Sequence, residues 1–164
     1  GVVMAPPSGG AGGGGLVALP ELDRSASGSW VYPRLREPRA YQVEAVRSCL
    51  FRNTIVCLPT GLGKTLVAAV VMQNYRRWFP EGIVLFLAPT KPLVAQQVTA
   101  CTEALGLPPD EVAEVCGDVP LARRRRLYGS QARLFFATPQ TVENDVEGGA
   151  LRAERVVLLV VDEA

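Results

Sequence analysis

Two kinds of apolar pattern alternate along this chain. Short uninterrupted apolar runs fall at Thr54–Leu58, Ile83–Ala88, Leu134–Ala137 and Val156–Val161, with a weaker one at Val112–Val115. Runs of this length, rich in β-branched and aromatic residues, predict strands buried on both faces. Between them lie longer stretches with helical spacing, at Arg39–Phe51, Gly63–Arg77, Lys91–Leu105 and Val119–Tyr128. In the second of these, Leu66, Val67, Val70, Val71 and Tyr75 recur at intervals of three and four. Local signals punctuate the elements. Pro38 and Pro92 stand at helix starts, Gly106 follows a helix end, and Thr138-Pro139 opens a further helix after Leu134–Ala137. The alternation predicts an α/β fold, a parallel sheet with helices on both faces, whose ligands bind at the carboxyl ends of the strands.

Residues 1–29 fit neither pattern. Seven of the first 15 are glycine, and Pro6, Pro7 and Ser8 stand among them. Such a segment buries too little apolar surface to offset its chain entropy, so it is expected to be a disordered tail without secondary structure. A single domain then occupies 30–164. The 164 residues are 48% hydrophobic and 20% charged, enough for one domain with a core. No apolar run reaches the ~18 residues that span a bilayer, so no membrane partner is expected. A net charge of +1 gives no strong bulk attraction to nucleic acid, so any such contact must come from local geometry. Without histidine, and with Cys49, Cys57, Cys101 and Cys116 forming no C-x-x-C pair, a zinc site and Ser-His-Asp chemistry are excluded. Cys49, Cys57 and Cys101 lie in apolar patterns, as buried thiols do in a reducing compartment. The chain starts at Gly1 and stops at Ala164 directly after an apolar strand, and is expected to be a fragment of something longer.

The strongest chemical signal is Leu58-Pro59-Thr60-Gly61-Leu62-Gly63-Lys64-Thr65, between a strand and a helix. Gly61 and Gly63 let the backbone curl so that N–H groups face a phosphate, and the helix N-terminus adds positive potential. Lys64 would reach the β- and γ-phosphates of ATP, and the Thr65 hydroxyl would ligate Mg²⁺. The general phosphate-loop pattern has glycine where this chain has Leu58. The second signal is Val160-Val161-Asp162-Glu163-Ala164. An aspartate ending an apolar strand is placed to hold Mg²⁺, and Glu163 beside it to act as general base. Acidic residues after a strand commonly do no more than solvate a turn; the loop at Lys64 gives this pair its meaning.

Thr90 and Lys91, after the Ile83–Ala88 strand, and Thr138, after Leu134–Ala137, put hydroxyls and free N–H groups on the same sheet edge. They suit nucleic-acid phosphates, or they simply cap helices. Gln42, in Arg39-Ala40-Tyr41-Gln42, can pair with the N6/N7 edge of adenine or stand on a helix surface. The run Arg123-Arg124-Arg125-Arg126 fans around a helix at about 100° per residue, so its four side chains cannot face one ligand. A solvated face is expected there.

Glutamine motif, Pro59–Thr65, Ala88–Leu93, Thr138–Gln140 and Asp162–Ala164 together resemble the RecA-like first motor domain of superfamily 2 helicases, in that family's order. Trp30-Val31-Tyr32-Pro33, Asn53–Thr65, Tyr75-Arg76-Arg77-Trp78-Phe79-Pro80 and Ala88–Gln97 look most like the Fanconi anaemia group M branch, with archaeal Hef and fungal relatives. The resemblance covers Trp30 to Ala164. It implies that Gln42 reads adenine, that Thr60, Gly61, Leu62, Gly63, Lys64 and Thr65 bind the nucleotide, and that Asp162 and Glu163 form the acidic box. It also relieves the Leu58 anomaly, since the superfamily does not require glycine there. It implies ATP-dependent translocation on DNA, remodelling of replication forks and four-way junctions in crosslink repair, repair-complex partners held by regions outside this chain, and a nuclear location. The family usually carries Thr-Gly where this chain has Cys116-Gly117. It also continues the acidic box with a histidine and adds a second motor domain bearing arginine fingers, without which the 164 residues alone are expected to be inactive. Two alternatives stand beside this: a Dicer- or RIG-I-like RNA helicase, and a truncated nucleotide-binding module without turnover.

Overall fold

Within each strand, alternate side chains go to opposite faces of the sheet. Ile83, Leu85 and Leu87 join one core cluster while their neighbours Val84 and Phe86 join another. The computed structural model describes residues 2–4, 19–33, 37–59 and 61–162. Its strands are β1 (Val2–Met4), β2 (Thr54–Ile55), β3 (Ile83–Leu87), β4 (Val112–Val115), β5 (Leu134–Ala137) and β6 (Val156–Val161). They form one sheet in the order β2-β1-β6-β3-β5-β4. Its α-helices are α1 (Arg24–Ser27), α2 (Ala40–Phe51), α3 (Lys64–Trp78), α4 (Lys91–Leu105), α5 (Leu121–Tyr128) and α6 (Pro139–Glu147).

On one face, Val84, Phe86, Leu134, Phe136, Leu158 and Val160 pack under α2, α3 and α4, through Val46, Leu50, Val67, Val70, Val71, Val94 and Cys101. Phe86 and Phe136 stack across β3 and β5 with ring centroids 5.3 Å apart. On the other face, Leu85, Leu87, Phe135 and Ala137 meet Tyr128 of α5 and Val142 of α6. Each fully buried side chain of this size contributes about 1.5–3 kcal/mol. The α/β architecture with helices on both faces is therefore present, and β3, β4, β5 and β6 pair in parallel. The parallel order puts the carboxyl ends of these four strands on one edge, where the site is found.

Three expectations change. First, β1 runs antiparallel to both β2 and β6 and lies between them, so the sheet is mixed. Second, residues 1–29 carry secondary structure at Val2–Met4 and Arg24–Ser27. The Asp23 carboxylate caps α1 by accepting from the Ser25 and Ala26 N–H groups. Trp78 at the end of α3 donates its indole N–H to Ala26 O and Ser29 O, at 3.2 and 3.0 Å. The folded body thus begins before Trp30; the rest of the expected disordered tail, residues 5–18, lies outside the described residues. Third, the run Thr54–Leu58 forms a strand only at Thr54–Ile55. β2 ends the sheet on its side, so Ile55 is 69% exposed and Cys57 is exposed too, not buried.

Candidate nucleotide and nucleic-acid site

The candidate phosphate loop leaves β2, turns through two left-handed glycines and enters α3. Gly61 has φ 82° and Gly63 φ 85°, values that non-glycine residues rarely adopt. Gly63 has a second reason to lack a side chain: a Cβ there would collide with the Gln42 amide nitrogen. Lys64, Thr65 and Leu66 open α3, so their N–H groups lack partners within the helix and point out of its positive end. The Lys64 ammonium folds back over the loop and donates to Leu58 O at 2.9 Å. That contact needs only the backbone carbonyl of position 58, so leucine serves as well as glycine. Thr60 lies outside the described residues.

Gln42 is not a surface residue. It is 5% exposed, and its amide donates to Leu62 O at 3.1 Å. The Tyr41 hydroxyl donates to the same carbonyl at 3.0 Å. α2 therefore holds the outer turn of the loop from two consecutive residues. Sequence reasoning missed Tyr41.

Asp162 follows β6, and its N–H continues the ladder by donating to Leu87 O at 2.9 Å. Between its carboxylate and the Thr65 hydroxyl stands a residue that sequence reasoning gave no role. Gln97 of α4 accepts from Thr65 Oγ1 at 3.2 Å and donates to Asp162 Oδ2 at 3.0 Å. A hydroxyl and a carboxylate oxygen, both within reach of one carboxamide, are hard donors of the kind Mg²⁺ takes alongside phosphates and water. The donor set therefore fits magnesium held by Thr65 and Asp162. Glu163 lies outside the described residues.

The carboxyl ends of β3, β4 and β5 carry the candidate nucleic-acid contacts. Thr90 precedes α4 and makes no side-chain cap. Lys91 is exposed and pairs with Asp118 at 3.2 Å, which holds that carboxyl below its ordinary range. The Thr138 hydroxyl meets that of Thr141 at 2.9 Å and does not cap α6. Cys116, at the family's usual threonine position, is buried, and burial pushes its thiol up to about 11.

The arginine run is not a uniformly solvated face. Arg123, Arg125 and Arg126 are exposed, but Arg124 is 8% exposed and bound to Asp145 of α6, which is fully buried. Its Nε donates to both carboxylate oxygens, at 3.0 and 2.8 Å, and its NH2 to Oδ1 at 2.6 Å. The Tyr128 hydroxyl adds a bond to Oδ2 at 2.9 Å. One helical position of four faces α6, as the 100° fan allows. A cleft of about 760 Å³ lies far from the phosphate loop, lined by Leu19, Leu22, Glu81, Arg133 and Arg155 among others. Its arginines are occupied: Arg133 Nε donates to Pro80 O at 2.7 Å and Arg155 to Tyr128 O at 2.8 Å.

Residues 39–164 match the family described as DEAD/DEAH box helicase. The chain is 54% identical over 140 residues to the Fanconi anemia group M protein of Gallus gallus, covering 85% of this chain and 7% of that protein. It is 51% identical over 144 residues to the ATP-dependent DNA helicase fml1 of Schizosaccharomyces pombe, covering 88% of this chain and 17% of the relative. It therefore spans less than a fifth of either relative. Among solved structures, the Hef helicase domain of Pyrococcus furiosus superposes with a TM-score of 0.74 at 38% identity, over 82% of this chain and 28% of that one. With the candidate phosphate loop and the acidic strand end on one edge of the sheet, the chain belongs to the DEAD/DEAH box helicase family and is similar to the Fanconi anemia group M and Hef proteins.

Proposed function

We propose that this chain is the nucleotide-binding half of an ATP-dependent DNA helicase or translocase that works on branched DNA, forks and four-way junctions, in the nucleus, with repair proteins as partners. The observation that carries this reading is the convergence of Lys64, Thr65 and Asp162 on the sheet edge that also bears Thr90, Lys91 and Thr138. In this reading the loop N–H groups and Lys64 bind the β- and γ-phosphates and offset the charge that develops on the transferred phosphoryl group. Magnesium, held by Thr65 and Asp162, would neutralise phosphate charge. Glu163 takes the proton of the attacking water. Gln42, whose carboxamide donates to Leu62 O and accepts from the Tyr32 hydroxyl and the Arg39 N–H, exchanges one of these bonds to pair with adenine. Thr90, Lys91 and Thr138 bind the backbone of one DNA strand, which positions it without reading sequence.

The Schizosaccharomyces pombe relative is named an ATP-dependent DNA helicase, and 51% identity to it supports DNA as the substrate. The test is the ATPase of the full-length protein, measured with forked DNA, four-way junctions, single-stranded DNA and double-stranded RNA of equal length. Stimulation by the branched DNAs, with little by RNA, is the expected result. Stimulation by RNA alone would make this an RNA helicase.

A further inference from the structure

We propose that Gln97 is a positioning residue of the magnesium–nucleotide site, setting the distance between the Thr65 hydroxyl and the Asp162 carboxylate. This rests on the ATP reading above and assigns a role to a residue of a third element, α4.

The geometry is specific. Gln97 is 8% exposed, so its carboxamide has little access to water and its polar atoms need protein partners. It finds one on each side: its carbonyl oxygen accepts from Thr65, and its amide donates to Asp162. Only this orientation satisfies both neighbours, because an ionised carboxylate can only accept. Thr65 is fixed by α3 and Asp162 by β6. Among the described residues, Gln97 is the one side chain given hydrogen bonds to both. Thr65 and Asp162 are themselves half-buried, with Gln97 the buried member of the three. The neighbouring Gln96 is exposed and shares none of these contacts. Gln97 also lies six residues after Lys91 on one continuous helix, about 9 Å along its axis. The element that bears Thr90 and Lys91 at its start is thereby tied to the two magnesium ligands.

A side chain that holds two ligands at a set spacing affects nucleotide binding that needs the ion more than binding that does not. The experiment is a titration of a fluorescent, non-hydrolysable ATP analogue into the full-length protein, at a series of Mg²⁺ concentrations and with chelator. Gln97→Met keeps the volume and removes both hydrogen bonds. It is expected to raise the half-maximal Mg²⁺ concentration about tenfold, the scale of one lost hydrogen bond to a charged group. Affinity in chelator is expected to stay within about twofold, and Gln96→Met to match wild type throughout. An unshifted magnesium dependence in folded Gln97→Met overturns the proposal. So does an equal loss with and without magnesium, which would mean that the residue only supports the fold. If Gln97→Met does not fold, Gln97→Asn, too short to bridge both partners, is read by the same criteria. Wild-type protein that shows no magnesium-dependent binding would defeat the ATP reading itself, whereas wild-type dependence with an unshifted variant defeats this proposal alone.

Discussion

Gly63 and Gly106 both sit in the left-handed region, at φ 85° and 61°, yet they differ in surroundings. A Cβ on Gly106 would meet nothing within 4 Å, whereas one on Gly63 would strike the Gln42 amide. Gly106→Ala should therefore cost only the conformational term, about 1 kcal/mol. Gly63→Ala should cost about 2–3 kcal/mol and weaken nucleotide binding as well, because Gln42 must let go of Leu62. Urea denaturation of the two variants checks the difference. The cysteines offer a second residue-level test. Cys57 is exposed, while Cys49, Cys101 and Cys116 are buried. Burial pushes those three up to about 11, 12 and 11 from an ordinary value of 9.0. A thiol-specific reagent at pH 8 should modify one of the four in the native protein and all four in denaturant. The sign of the linkage follows: their contribution to stability is whole below pH 9 and declines as pH rises from there through the raised values.

Between elements, the join of α5 to α6 is the Arg124–Asp145–Tyr128 cluster. Arg124→Ala would strand a fully buried carboxylate, a loss of about 3–5 kcal/mol. Arg123→Ala and Arg126→Ala should fall within about ±0.5 kcal/mol. Thermal and chemical unfolding of the three variants separates them. This cluster also shows where sequence reading stops. The periodicity around Arg123–Arg126 gives a helix, but the buried partner of Arg124 lies 21 residues away and on another helix. Nothing in the local pattern selects Arg124 from its neighbours. By contrast, α4, β5 and β6 were legible to the residue, because an uninterrupted apolar run, or Pro92 and Gly106 at the ends, marks each boundary, while β4, interrupted by the exposed Glu114, gave a weaker signal at the same bounds. β2 was misread because an apolar run does not say whether a strand is central or terminal in the sheet. The docking of α1 on Trp78 was equally hidden, since it depends on backbone carbonyls that any residue could supply. In the proposed site, the glycines, Lys64, Thr65 and Asp162 are nominated by type and spacing alone. Gln97 did not, because a lone glutamine has meaning only once Thr65 and Asp162 are seen beside it.

At the scale of the whole molecule, in the proposed reading, one edge of the sheet joins nucleotide chemistry to a track for nucleic acid. Substituting Thr90, Lys91 and Thr138 together should weaken DNA binding similarly across sequences and lower the salt slope by about 0.7–0.9, the share of the single cation Lys91. Lys91 is paired with Asp118, so Asp118→Asn should raise DNA affinity modestly at low salt and not at high salt. Fluorescence anisotropy against a salt series measures both. The most direct test of the central claim is DNA-stimulated ATP hydrolysis by the full-length protein, wild type against Lys64→Ala, with folding of both verified. The account predicts that forked DNA raises the wild-type rate and that Lys64→Ala falls to background with or without DNA. A folded Lys64→Ala protein that keeps DNA-stimulated turnover would contradict the assignment of this loop as the phosphate-binding site.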